Sequence, residues 1–208
     1  MAGKQGRCKE YQLVKRWYAR MADVPGIGFT GSPGVNRDHL PETRIRPREE
    51  YGSLWWPTAS GTTSASPAHN RAFGDMRTLD TDTLIRWVWE GLELPGSASD
   101  YHFLLQNAVG QFWARRRTAP AGLHFVEVFA QLDLLLIEAV PQVVLINDKN
   151  PSLGFVRISS VATWINLLHA EGALRDALSV SRRMQRFGDN YLDERLEAKV
   201  AALDEECT

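Results

Sequence analysis

The feature that most constrains the fold is a run of apolar residues at helical spacing in residues 156–188, interrupted by one glycine. This spacing predicts two amphipathic helices with a turn at Gly172 and a C-terminal cap at Gly188. Because the turn is short, the two helices must run antiparallel and cover each other's apolar faces. The predicted inward positions are Val161, Trp164, Ile165 and Leu168 before the turn, and Ala177, Leu178, Met184 and Phe187 after it.

Three residues of this pair stand at characteristic places of a known repeat. Leu168, Gly172 and Ala177 match its large apolar residue, its small turn residue and its alanine. The segment therefore resembles one tetratricopeptide repeat (TPR), which has about 34 residues. It departs from the family at three places, where a small residue, an aromatic residue and a proline are preferred: Ile165, Ser181 and Asp189. The resemblance implies a helical hairpin of a class whose arrays bind peptides in a concave groove.

Periodic apolar residues predict four further helices, over residues 82–92, 97–117, 123–140 and 191–203. Residues 77–206 are therefore expected to form an all-α domain of about six helices in antiparallel pairs. The helix over 123–140 is apolar on nearly every side, which is typical of a central helix or one covered by a partner. Both a TPR-like array and an irregular helical bundle are compatible with this pattern.

Residues 1–76 have a different composition, which predicts a poorly ordered, basic extension rich in proline and glycine. Residues 1–75 carry 11 Lys and Arg against 7 Asp and Glu, whereas residues 76–208 carry 13 against 18. Prolines exclude long regular elements between residues 25 and 67, and residues 61–67 are typical of a linker. One short amphipathic helix is expected over residues 10–22. Met76 is an alternative start of translation, which would make the extension an annotation artefact.

Aromatic residues in this extension favour a second interpretation. Tyr51, Trp55, Trp56 and Phe73 are unusual in a disordered tail, so the extension could instead be a basic and aromatic arm that docks on a partner. The string Gly-Ile-Gly-Phe-Thr-Gly at residues 26–31 matches the dinucleotide-binding fingerprint. That site requires a strand before the string and a helix after it, and the flanking residues predict neither.

One helix face carries residues that could perform chemistry. His124, Glu127, Gln131 and Glu138 lie on the same side of the helix over 123–140. A metal-binding bundle would need matching ligands from other helices, and the sequence holds no Glu-x-x-His motif. The face is therefore interpreted as the polar edge of a buried helix. No Ser-His-Asp or Cys-His pairing is indicated, so we expect no catalytic, cofactor-binding or metal-binding residues.

These patterns predict a non-catalytic protein–protein interaction module of the TPR-like, helical-hairpin type, with a protein or peptide as partner. The candidate partner-binding residues are Arg157, Ser160, Thr163, Asn166 and His169. The alternative is a small helical metal- or ligand-binding protein or enzyme that uses the face of His124, Glu127 and Glu138. Nucleic acid is not expected as a partner, because residues 76–208 are net acidic and the arginines at 115–117 suit a helix C-terminus.

The remaining sequence features concern the location of the protein. Residues 132–146 are the most apolar stretch, but Asp133, Glu138 and Pro141 interrupt it, so no membrane span is expected. No apolar segment follows the basic N-terminus, which argues against a signal peptide. Cys8 and Cys207 suggest neither a disulfide framework nor a metal site, and a cytoplasmic location is expected. The excess of arginine over lysine suggests a bacterial source rich in GC.

Overall fold

The structure, a computed structural model, describes residues 29–50 and 53–206. Over these residues the chain is mostly helical with one small sheet, in agreement with the predicted all-α class. The helices of the described part are α1 (Pro67–Ala72), α2 (Thr81–Glu93), α3 (Ala98–Ala114), α4 (Leu123–Ala139), α5 (Ser159–Ala170), α6 (Leu174–Met184) and α7 (Glu194–Glu206). Short 3-10 turns connect several of them. The six helices predicted from periodicity are α2 to α7, and all six are confirmed.

Helix α4 lies at the centre of the packing. It contacts both α3 and α5, while α3 also packs against α1, α2 and α5. The chain then continues through two successive pairs, α5 with α6 and α6 with α7. Val126, Phe129, Leu134 and Leu136 of α4 are fully buried, as the apolar pattern of this helix predicts. By length and composition alone the segment Pro120–Ala139 could cross a membrane, a property that core helices share, and half of its most apolar window is buried inside the protein.

The turn between α5 and α6 has the predicted form. Gly172 has a φ of 78°, in the left-handed region that favours glycine. The amide of Ala173 donates to the carbonyl of Leu168 over 2.9 Å, which closes the end of α5. Ala177 is fully buried and Trp164 and Leu168 are nearly so. The hairpin at Gly172 is therefore confirmed.

The region before residue 77 contains more regular structure than its composition suggests. Strands β1 (Arg48–Glu50), β2 (Ser53–Thr58) and β3 (Gly61–Thr63) form an antiparallel sheet in the order β1-β2-β3. Trp55 pairs with Arg48, and Trp56, which is 3% exposed, pairs with Thr63. The linker predicted over residues 61–67 is wrong, because β3 begins there and Ser66 caps α1. A two-residue turn at residues 59–60 allows this pairing despite Pro57.

Parts of the predicted extension contribute to the same core as the helices. Phe29, Leu40, Ala68, Ala72 and Met76 are all buried in one hydrophobic cluster with residues of α2 to α7. The boundary that composition suggests at residue 76 therefore lies within the packed core. The predicted helix over 10–22, both cysteines, Tyr51 and the first half of the glycine-rich string, residues 26–28, lie outside the described residues.

Helix ends explain one group of basic residues. Ser97 and Asp100 form a capping box at the start of α3, and the side chain of Asp80 caps α2. At the other end of α3, the guanidinium of Arg115 donates to the backbone carbonyls of Met76, Arg77 and Leu79. Arg115 therefore fastens the loop before α2 to the end of α3.

Candidate binding groove

A groove with two basins crosses the face of α4 that carries His124, Val128 and Gln131. The first, the apolar basin, has a volume of about 390 Å³. Its lining residues are Phe29, Gly31, Pro33, Ile85, Trp89, His124, Phe125, Val128, Gln131 and Leu132. Trp89 packs edge-on against Phe129 below it, with 4.9 Å between ring centroids. The basin offers apolar and aromatic surface for the side chain of a ligand.

The second, the acidic basin, lies on the other side of the same strip of α4 and has a volume of about 490 Å³. Its lining residues are His124, Glu127, Val128, Gln131, Trp164, Leu168, Asp176, Ser179 and Val180. Both basins share three residues of α4, so they are neighbours on this face, and together they are called the groove. Trp164 is 6% exposed, and its indole N–H has no hydrogen-bond partner within residues 29–50 and 53–206. A buried donor of this kind requires an acceptor.

A buried carboxylate holds one wall of the apolar basin. Glu93, at the end of α2, is 2% exposed, and its Oε1 accepts hydrogen bonds from the amides of Gly31 and Ser32 at 3.0 and 3.1 Å. The amide of Phe29 donates to the carbonyl of Leu92 over 2.6 Å. Arg37 lies 3.4 Å from the other carboxylate oxygen of Glu93. Residues 29–33 are thereby fixed against α2, with Phe29, Gly31 and Pro33 lining the groove.

The same contacts account for the end of the glycine-rich string. The amides of Gly31 and Ser32, which a nucleotide site would use for a phosphate, bind the side chain of Glu93 instead. The helix that the fingerprint requires is missing from residues 32–36. These two amides therefore do not hold a phosphate in this fold.

The hairpin of α5 and α6 forms the wall of the acidic basin. Trp164 and Leu168 come from α5, and Asp176 and Val180 from α6, so the turn at Gly172 determines their relative positions. The arginines of α6 pair with carboxylates of other helices: Arg175 with Asp204, Arg182 with Glu197, and Arg183 with Glu138. The charged residues of α4 and α6 that line this basin are therefore the acidic Glu127 and Asp176.

A second polar cluster lies on the opposite face of α4, inside the core. Nδ1 of His102 is 2.7 Å from Oδ1 of Asp133, and both side chains are completely buried. The hydroxyl of Ser160, also buried, donates to the other oxygen of Asp133. In a catalytic triad the histidine lies between the serine and the carboxylate, but here the carboxylate is in the middle. Ser160 therefore has no histidine beside it to accept its proton, and the cluster joins α3, α4 and α5.

The charge balance of this cluster favours protonated His102. Burial lowers the pKa of His102, but the negative charge of Asp133 and the hydrogen bond to it raise that pKa by more. The resulting pKa lies above the ordinary value for histidine. Nε2 of His102 has no hydrogen-bond partner among the described residues. The protonated form of His102 is therefore stabilised mainly by Asp133.

The five predicted partner-binding residues do not form a common surface in the groove. Arg157, Asn166 and His169 are exposed and Thr163 is half-buried, and none of the four lines either basin. The side chain of Ser160, the fifth predicted residue, is buried and bonds to Asp133. Helical spacing placed these residues on one face. That face is exposed at Asn166 and His169, but at Ser160 it is buried against α4.

The alternative metal-binding face is only partly assembled. His124 and Glu127 do line the acidic basin, but Glu138 is held by Arg183 at 2.7 and 3.1 Å. Within the described residues, no group of three His, Cys, Asp or Glu side chains is placed to hold a metal ion. The three residues of this alternative therefore do not converge.

Comparison of the chain with models of protein families, with curated proteins and with solved structures finds no match. The functional inference therefore depends on the groove itself. Sequence periodicity identified His124, Glu127 and Gln131 as a face, but could not show which elements stand opposite it. The buried cluster could have been predicted from the position of Asp133 within the most apolar helix, since a buried carboxylate requires partners.

Proposed function

We propose that this protein is a non-catalytic interaction module that holds a peptide segment of a protein partner in the groove across α4. The observation that carries the proposal is that the apolar and acidic basins adjoin each other along His124, Val128 and Gln131. An apolar side chain of the partner would enter the first basin as an anchor. Polar groups of the second basin would then fix the orientation of the segment.

The unpaired donor in the groove wall supports a peptide as the ligand. The indole N–H of Trp164 has no partner among the described residues and would donate to a backbone carbonyl of the ligand, an acceptor that every peptide carries. The resemblance of α5 and α6 to one TPR favours the same class of ligand. In this proposal α5 contributes Trp164 and Leu168 to recognition, whereas the exposed residues around Asn166 do not take part. We place the interaction in the cytoplasm.

The test is affinity capture from the cells that express the protein, with two matched variants. Gln131→Trp fills the strip shared by both basins, and its stability cost is small because Gln131 is exposed. Ala198→Trp adds the same side chain on an exposed position of α7, outside the groove. We expect a set of proteins that the wild type and Ala198→Trp retain and that Gln131→Trp loses. Identical sets for all three proteins would contradict the proposal.

A further inference from the structure

We propose that residues 10–22 of this same chain occupy the groove when no partner is bound, and that a partner must displace them. This inference rests on the proposed function, because it names the internal competitor for the same site. The segment is the one that the sequence predicts to be an amphipathic helix, and it lies outside the described residues.

The described chain begins inside the groove wall. Phe29 is 2% exposed, lines the apolar basin and is fixed by the hydrogen bond of its amide to Leu92. Six residues, 23–28, separate it from the end of the segment, and six residues can span at most about 20 Å. The segment is therefore tethered within reach of the apolar basin at a high effective concentration.

The apolar face of the segment matches the apolar basin. Leu13, Val14, Trp17 and Met21 fall on one side of a helix over residues 10–22. Such a helix would be about 20 Å long, which is sufficient to cross the strip of α4 between the two basins. An aromatic anchor such as Trp17 is the type of side chain that fills a well-packed hydrophobic pocket.

The charges of the segment match the acidic basin. Arg16 and Arg20 are four residues apart, on one flank of the apolar face, and Lys15 adjoins them. Glu127 and Asp176 line the basin beside the apolar one. The recess on the other side of the apolar basin has mixed charges, since Asp82, Arg86 and Glu90 line it. Docking with the basic flank over Glu127 and Asp176 is therefore the favoured orientation.

Hydrogen–deuterium exchange of the full chain, followed by mass spectrometry, tests this proposal. We expect amides of residues 10–22 to exchange more slowly in the wild type than in Gln131→Trp, by about tenfold or more. The double variant Glu127→Lys/Asp176→Lys should lose the same protection. Adding Arg16→Glu and Arg20→Glu to that double variant should restore it, since the charges are exchanged. Ala198→Trp is the matched control and should behave as the wild type.

Other outcomes would overturn the proposal. Exchange in residues 10–22 that is equally fast in all variants, or equally slow in all, would show that the groove does not hold the segment. Protection that disappears on dilution, together with a dimer in sedimentation, would assign the site to the segment of a second copy. Either result leaves the capture experiment with Gln131→Trp unaffected, so the failure of this inference is distinguishable from failure of the proposed function.

Discussion

The two faces of α4 show how one helix uses similar residues for opposite purposes. On the inner face, Asp133 is completely buried and bonds to His102 and Ser160. On the outer face, His124, Val128 and Gln131 stand between two basins that remain open. On the inner face the polar groups pair with each other, with only Nε2 of His102 left without a partner among the described residues, while the outer face presents polar and apolar surface together.

This difference separates a structural role from a binding role. A buried carboxylate is tolerated only where charge and hydrogen bonds compensate it, so the cluster around Asp133 has little capacity for another ligand. The groove lies at the surface and is lined by Trp164, whose buried indole N–H has no partner among the described residues. Changes to the inner face should therefore affect folding, and changes to the outer face should affect binding.

The largest effect is expected from Asp133→Leu. Removal of the carboxylate leaves His102 and the hydroxyl of Ser160 buried without a partner, so the free energy of unfolding should fall by about 3–5 kcal/mol. Urea denaturation measures this loss. Gln131→Ala, on the outer face, should change the same quantity by about 0.5 kcal/mol or less. Equal losses for both variants would remove the distinction between the faces.

A smaller loss of stability is expected from a change at Glu93, which holds one wall of the groove. Glu93→Ala removes the acceptor for the amides of Gly31 and Ser32, so stability should fall by about 1–3 kcal/mol. The chain around Phe29 should then detach from α2 and faster amide exchange should follow at residues 29–32. Unchanged exchange there would contradict the assignment of Glu93 as the residue that fixes this wall.

Gly172→Ala tests the turn between the two helices of the acidic basin. Space is not the obstacle, since a Cβ at Gly172 would meet no atom within 4 Å, but its positive φ is unfavourable for alanine. The expected cost is about 1–2 kcal/mol, measured as a lower melting temperature. A higher melting temperature would mean that residue 172 lies inside one continuous helix. The acidic basin would then not have a wall made of a helical hairpin.

The smallest effect is expected in the pH dependence of stability. The folded-state pKa of His102 is raised above that of the unfolded chain, about 6.5. Its contribution to stability is therefore complete below that unfolded value and is lost as the pH rises through the folded-state pKa. The free energy of unfolding, measured by urea denaturation at a series of pH values, should therefore fall more steeply with rising pH in the wild type than in His102→Gln. The same dependence of the unfolding free energy on pH in both proteins would show that folding does not change the pKa of His102.

The sequence predicted the helices better than the surfaces between them. Periodicity, capping residues and the glycine at 172 are local signals, and they located α2 to α7 and the hairpin. The strands at residues 48–63 were missed because Pro57 and the polar residues around it resemble a linker, while pairing across a two-residue turn is not visible in composition. The burial of Ser160 was not foreseen, because helical spacing alone cannot tell which side of α5 meets α4.

The groove itself required tertiary information. Its walls combine residues 29–33, α2, α4 and the α5–α6 hairpin, which are far apart in sequence. The face of His124, Glu127 and Gln131 was visible from spacing, but Glu138 was grouped with it although Arg183 holds that carboxylate elsewhere. Long-range ion pairs of this kind leave no periodic signal.

The most direct measurement is the binding of a labelled synthetic peptide of residues 10–22 to the full chain. The chain used should carry Arg16→Glu, Trp17→Ser and Arg20→Glu, so that its own segment no longer competes. Fluorescence polarisation should show saturable binding, weakened by about tenfold or more, equivalent to 1.4 kcal/mol, when Gln131→Trp is added. Binding with the same affinity in the Gln131→Trp and Ala198→Trp backgrounds, or no binding at all, would contradict the docking of residues 10–22 on the outer face of α4.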